Sequence, residues 1–197
     1  MPKPSHREKL LQAGMRVVHA RGFGGASVRD VVQAAGVPQG SFTNHFRSKE
    51  AFGLAVVELY AADAQALARE TLGNDALPPL RRLRAYFERA THRDADGGLG
   101  SGCLLGNLTA EANDCGDAIR RRVVEALAQT QAAIAGCLGA ARQLGEIEAS
   151  TDCDETAAFV LAAFQGALLL AKAQRSALPL ERFEAQLFGH LLRGRQH

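Results

Sequence analysis

The chain has 197 residues, 47% apolar, 22% charged and 6% aromatic, with no Trp and six Pro. That length fills one or two domains whose core needs no disulfide or metal staple, and the composition excludes long disorder and collagen-like structure. The net charge of +2 is unevenly spread: residues 1–50 carry eight Lys/Arg against three acids, or +5, leaving −3 for the rest, a basic head suited to a polyanion on a mildly acidic body.

Helical periodicity runs through nearly the whole chain and predicts an all-α protein. A first helix over 5–21 places Leu10, Leu11, Gly14, Val17 and Val18 on one stripe and stops at Gly22-Phe23-Gly24-Gly25. Ser27 has the N-cap residue type with Asp30 three positions later, and Val28, Val31, Val32 and Ala35 give a short second helix that ends at Gly36. After Gly36-Val37-Pro38 a third short helix carries Gln39, Gly40, Ser41, Phe42, Thr43 and Asn44, and Ser48 caps a fourth beginning at Lys49. Two short helices joined at a glycine, with a packing helix before them, make a helix-turn-helix unit. Further helices are expected at about 78–94, 103–113, 117–144, 152–175 and 179–193. In the longest, Ile119, Val123, Leu127, Ile134, Leu138 and Ala141 share a face, while Arg120, Arg121, Arg122, Glu125 and Gln129 fall largely on the other.

Residues 27–54, Ser-Val-Arg-Asp-Val-Val-Gln-Ala-Ala-Gly-Val-Pro-Gln-Gly-Ser-Phe-Thr-Asn-His-Phe-Arg-Ser-Lys-Glu-Ala-Phe-Gly-Leu, resemble the DNA-binding signature of the TetR family of bacterial transcriptional repressors. The resemblance implies an N-terminal helix-turn-helix DNA-binding domain, taken as 1–50, and a helical effector-binding and dimerisation domain over 51–197. It also implies a homodimer on a palindromic double-stranded operator, released by an inducer. The residue chemistry fits: Gln39, Gly40, Ser41, Thr43 and Asn44 offer hydrogen-bonding groups without bulk, and Gln39 and Asn44 have amide edges that can read bases. Lys49 stands at a helix N-terminus where a phosphate is favoured. Ser27, Arg29 and His45 are expected as further DNA-backbone contacts, and Phe42 and Phe46 as core. Thr43 occupies a position where the family usually has Tyr.

In the second half, Cys103 follows the glycine-rich stretch 97–102 at an inferred helix start, where unpaired N–H groups and the helix dipole favour a thiolate. Asn107 and Glu111 follow at steps of four, on the same face. Gly102-Cys103-Leu104-Leu105-Gly106-Asn107-Leu108 also resembles a TetR subgroup that includes the N-ethylmaleimide reductase repressor and acrylate-responsive repressors. These residues point to a small-molecule or electrophile/oxidant inducer acting through Cys103. The other readings are a noncovalent ligand with a structural Cys103, and a thiol-dependent enzyme, although none of the six His is placed by the sequence as a base for Cys103. A noncovalent pocket would be lined by Tyr86, Phe87, Asn107, Glu111, Phe164 and Gln165. Cys137 falls on the apolar stripe of the long helix, and Cys115 and Cys153 sit beside acids that disfavour a thiolate.

Spacings of 12, 22 and 16 positions between the four cysteines match neither a zinc pair nor a secreted disulfide framework. No cofactor, metal or catalytic residue is expected. The polar start of the chain and an apolar run at 157–171, interrupted by Gln165 and rather short for a membrane span, lead to the expectation of a cytoplasmic protein without a membrane partner. That run and the stripe of Phe183, Leu187, Phe188, Leu191 and Leu192 are expected to form half of a four-helix dimer seam. Two-fold symmetry would then set the recognition helices about 34–36 Å apart.

Overall fold

The computed structural model describes residues 5–92 and 102–192. Its helices are α1 (His6–Gly25), α2 (Val28–Ala35), α3 (Gly40–His45), α4 (Lys49–Thr71), α5 (Pro79–His92), α6 (Leu104–Ala110), α7 (Asp117–Gln143), α8 (Cys153–Gln174) and α9 (Leu178–Gln186). A π-helical turn, Leu187–Leu191, ends the described chain. The protein is all-α, and no strand occurs among the described residues. It divides into two compact units, one of Met1–Asp63 with Leu104–Ala126, the other of Ala64–Cys103 with Leu127–His197.

In the first unit local chemistry sets the helix ends. Ser5 and Glu8 form a capping box at the start of α1. The helix does not stop at Gly22 as the glycine cluster suggests: the backbone breaks there (φ 75°, ψ 168°) and then takes one more turn, because glycine tolerates the break and the residues beyond remain helical. Ser27 caps α2, its hydroxyl accepting the Asp30 N–H at 3.1 Å while the Asp30 carboxylate accepts the Ser27 N–H at 3.0 Å. Gly36 ends α2 in the left-handed region at φ 60°. Ser48 accepts the Ala51 N–H at the start of α4. Phe42, Phe46 and Phe52 form the centre of the unit, with ring centroids 5.0–5.5 Å apart. Gly14 gives that cluster room, since a Cβ there would lie 2.1 Å from Phe52 Cζ.

The capping box gives a test. Ser27→Ala is expected to cost about 1 kcal/mol, seen as a lower melting midpoint by circular dichroism near neutral pH. Bonds from the Ser27 hydroxyl and N–H, then the Arg21 guanidinium, hold the Asp30 carboxyl below its ordinary value. The box therefore stabilises above the ordinary aspartate range and is lost as pH falls through the lowered value. The difference between Ser27→Ala and the parent should shrink on that acid limb.

The second unit packs α5, α8, α9 and the later parts of α4 and α7 around Leu83, Phe87, Ile134, Leu138, Val160 and Phe164. Phe87, Phe164 and Phe183 stack with centroids 4.8–5.3 Å apart. The apolar run at 157–171 proves to be the middle of the 22-residue α8. By length and mean hydropathy alone α4, α7 and α8 are each sufficient to cross a membrane. The apolar residues of α8 are divided, however: Ala157, Val160, Leu161, Phe164, Ala167 and Leu168 are buried in the core, and Phe159, Leu169 and Leu170 are exposed.

Candidate nucleic-acid interface and sensor residues

Arg29, Gln39, Gly40, Thr43, Asn44, His45 and Arg47 are exposed on α2, α3 and the turn after α3. Their donors and acceptors include the amide edges needed for base contacts and cations for phosphates. Arg47 lies beyond the set expected from the sequence, and its charge next to the recognition helix is the signal that marks it. A Cβ at Gly40 would meet nothing within 4 Å. The Thr43 hydroxyl donates to the Gly40 carbonyl at 3.0 Å. Ser41, expected to face the groove, is instead turned inward and is 7% exposed. Its hydroxyl lies 3.1 Å from Nδ1 of His6, so the start of α1 braces the recognition helix from behind. Ser27 is exposed, with its hydroxyl committed to the α2 cap.

Lys49 is half-buried. Its ammonium donates to the Gly24 carbonyl at 3.3 Å and stands 4.7 Å from the centroid of the Phe23 ring, so here it fastens the corner between α1 and α2. At the same residue, in the preceding peptide group, the Gly24 N–H donates to a Glu111 carboxylate oxygen at 2.8 Å. Glu111 follows the last residue of α6 and is directed at the glycines of α1, and only Asn107 of the expected sensor face lies within α6, where it is half-buried. The Leu104 N–H at the start of α6 donates to the Tyr60 hydroxyl at 3.3 Å.

In the second unit Cys103 is half-buried, and the other three free cysteines are buried. The Gln165 amide Nε2 donates to Cys103 Sγ at 3.6 Å, which joins the interrupting amide of α8 to the candidate nucleophile and gives that amide a partner. Burial pushes the Cys137 thiol up to about 11, and its sulfur donates to the Pro79 carbonyl at 3.2 Å. In the first unit Cys115 is also raised, mainly by burial, with the charges of Glu111 and Asp114 adding. Tyr86 and Phe164, expected as pocket lining, are 6% and 3% exposed. They pack with Phe87 in the aromatic core, because several large rings at helical spacing exclude water most completely against one another. The glycine-rich stretch at 97–101 lies outside the described residues.

A groove of about 780 Å³ runs between α8, α9 and the π-helical turn, lined among others by Phe159, Ala163, Gly166, Leu170, His190 and Leu191. Phe159 is 62% exposed and Leu170 51%, and Gly166 leaves open space beside them. Among the described residues no group of three or more His, Cys, Asp or Glu is placed to hold a metal ion.

Residues 10–56 match the family described as bacterial regulatory proteins, tetR family, and residues 79–187 match the tetracyclin repressor-like C-terminal domain. The transcriptional repressor DhaR of Mycobacterium sp. (strain GP1) is 36% identical over 98% of this chain and 95% of its own length. The transcriptional repressor NemR of Escherichia coli K12 is 34% identical over 89% of this chain and 88% of its own. Among solved structures, the regulatory protein TetR from Rhodobacter sphaeroides superposes with a TM-score of 0.88 at 33% identity, covering 93% of this chain and 97% of that one. The reduced form of E. coli NemR superposes at 0.84 and 33%, covering 93% and 95%. Two family models, curated relatives along almost the whole chain and an exposed recognition helix thus agree: the protein belongs to the TetR family of DNA-binding transcriptional regulators.

Proposed function

We propose that this regulator is a cytoplasmic homodimeric repressor that holds a palindromic operator and is released when an electrophile or oxidant reaches Cys103. The observation that carries the signal reading is the pairing of Cys103 with Gln165: a half-buried sulfur beside an N–H donor, in a chain whose other cysteines are buried. Repression rather than activation is supported by the relatives DhaR and NemR, both named repressors. The dimer is supported by the apolar groove of α8, α9 and the π-helical turn, where Phe159, Leu170 and Leu191 are exposed together, since contiguous exposed apolar side chains mark interaction sites. The DNA-binding domain is assigned to 1–50 and the effector and dimerisation domain to 51–197, with no catalytic step and no cofactor. Arg29, Gln39, Gly40, Thr43, Asn44 and His45 form the DNA-facing set, and Cys103 and Gln165 the sensor pair.

With an unsaturated carbonyl compound the chemistry is conjugate addition. The sulfur forms a bond to the β-carbon, the carbon–carbon π pair shifts to the α-carbon, and that carbon takes up the proton the thiol gave to water. The test uses full-length protein and N-ethylmaleimide, with fluorescence anisotropy on the DNA upstream of the gene's own reading frame. The parent should gain one maleimide mass and lose operator affinity about tenfold or more, within the usual range of coupling between sites, whereas Cys103→Ser should keep its affinity. Equal release of Cys103→Ser and parent would leave Cys103 structural and favour a noncovalent effector.

A further inference from the structure

The contacts around Gly24 carry an assignment that neither the family match nor the sensor reading supplies. Its N–H donates to Glu111 and its carbonyl accepts from Lys49, so the two successive peptide groups that meet at Gly24 are held, one by a carboxylate and the next by an ammonium. Hydrogen bonds to ionised groups are about twice as strong as neutral ones. Space for the carboxylate is built into the backbone. Gly22 sits at φ +75°, and a Cβ there would lie 2.2 Å from Glu111 Oε1. Phe23, between the two glycines, is buried under Lys49 and beside Gly53, where a Cβ would stand 2.4 Å from the Phe23 ring and 2.8 Å from Ile119.

A second carboxylate reaches the opposite way. Glu50, next to Lys49 on the first turn of α4, comes within 2.5 Å of the position a Cβ would take at Gly116, which lies at φ +85° in the turn before α7. Adjacent residues of α4 therefore address both the α1–α2 corner and the segment after α6, and both approaches need a glycine at positive φ. Simple apolar packing would not need that arrangement, and a bulkier residue at either glycine would exclude it.

We propose that Glu111 is a positioning residue for DNA binding: its carboxylate, holding the Gly24 N–H while Lys49 holds the Gly24 carbonyl, fixes the corner that aims α2 and α3 at the DNA. This assignment rests on the geometry of the first unit alone and not on any role of Cys103. It carries a distinctive sign. Removing a negative charge from a DNA-binding surface should by itself raise affinity for a polyanion, so a fall in affinity on losing Glu111 reports lost positioning rather than lost charge.

The experiment compares the full-length parent, Glu111→Ala and Glu111→Gln by anisotropy on the upstream operator fragment and on poly(dA-dT), with thermal melts and hydrogen exchange over residues 22–26. Glu111→Ala should bind the operator about tenfold more weakly, the scale of one charged hydrogen bond, with little change on poly(dA-dT) and faster exchange at 22–26. Glu111→Gln, equally uncharged but still an acceptor, should restore operator binding to within about threefold and restore slow exchange. The proposal is overturned if Glu111→Ala binds the operator like the parent, if Glu111→Gln is no better than Glu111→Ala, or if affinity falls only in step with the melting midpoint.

Discussion

Phe52→Ala is expected to destabilise the DNA-binding unit by about 3–5 kcal/mol, the usual cost of emptying a buried aromatic site, and to abolish operator binding at 25 °C. Phe52 is 2% exposed and its ring touches Phe42 and Phe46 at centroid distances of 5.2 and 5.0 Å. Those two residues belong to α3 and to its C-terminal cap. A helix of six residues has no stability of its own in water, so the recognition helix exists because its two phenylalanines are clamped on a third. Gly14 cannot collapse into the cavity, as it has no side chain to offer, and the loss should therefore be close to the upper end. Circular dichroism melts and anisotropy on the operator fragment check this together. A melting profile like the parent's would show that the aromatic cluster does not anchor α3.

The second large effect concerns the proposed dimer seam. Leu170→Glu, alone or with Phe159→Glu, is expected to turn the dimer into monomers at micromolar concentration and to weaken operator binding at least about a hundredfold. An unpaired carboxylate taken into an apolar interface costs several kcal/mol, and two-fold symmetry places it there twice. Both side chains are more than half exposed in the single chain, at 51% and 62%, so the fold of each subunit should survive with a nearly unchanged melt. Glutamate is the informative choice, since an added cation would strengthen DNA binding non-specifically and mask the loss. Sedimentation equilibrium measures the association directly, and a variant that remains dimeric would remove this face as the seam.

Features determined by neighbours in the chain were readable from the sequence. The Ser27–Asp30 box, the left-handed Gly36 and the cap at Ser48 all depend on residues within one turn, and the inward placement of Phe42 and Phe46 follows from helical spacing. Features determined by distant partners were not readable. Ser41 has the residue type of a groove-facing side chain and is turned inward by His6, 35 positions away. Glu111 has the spacing of a residue on one helical face with Asn107, yet it lies past the end of α6 and its carboxylate is claimed by Gly24 across 87 positions. No local pattern places the 104–126 segment with the first helices, because the glycines that admit Glu111 and the Glu50 that reaches Gly116 signal only as turn residues and surface charge. Gln165 lay between these cases: its interruption of an apolar run announced a partner, and the structure supplies it as the sulfur of Cys103.

The empty space around Gly40 bears on how such a regulator changes its address. Nothing in the folded chain requires a hydrogen at that position, the first of α3, where no neighbour lies within 4 Å and the backbone is not left-handed. On the proposed reading, any restriction on position 40 would come from the duplex and not from the protein's own packing. A lineage can therefore explore new promoters through a single codon on this helix without first acquiring compensating changes elsewhere, so retargeting is separable from foldability.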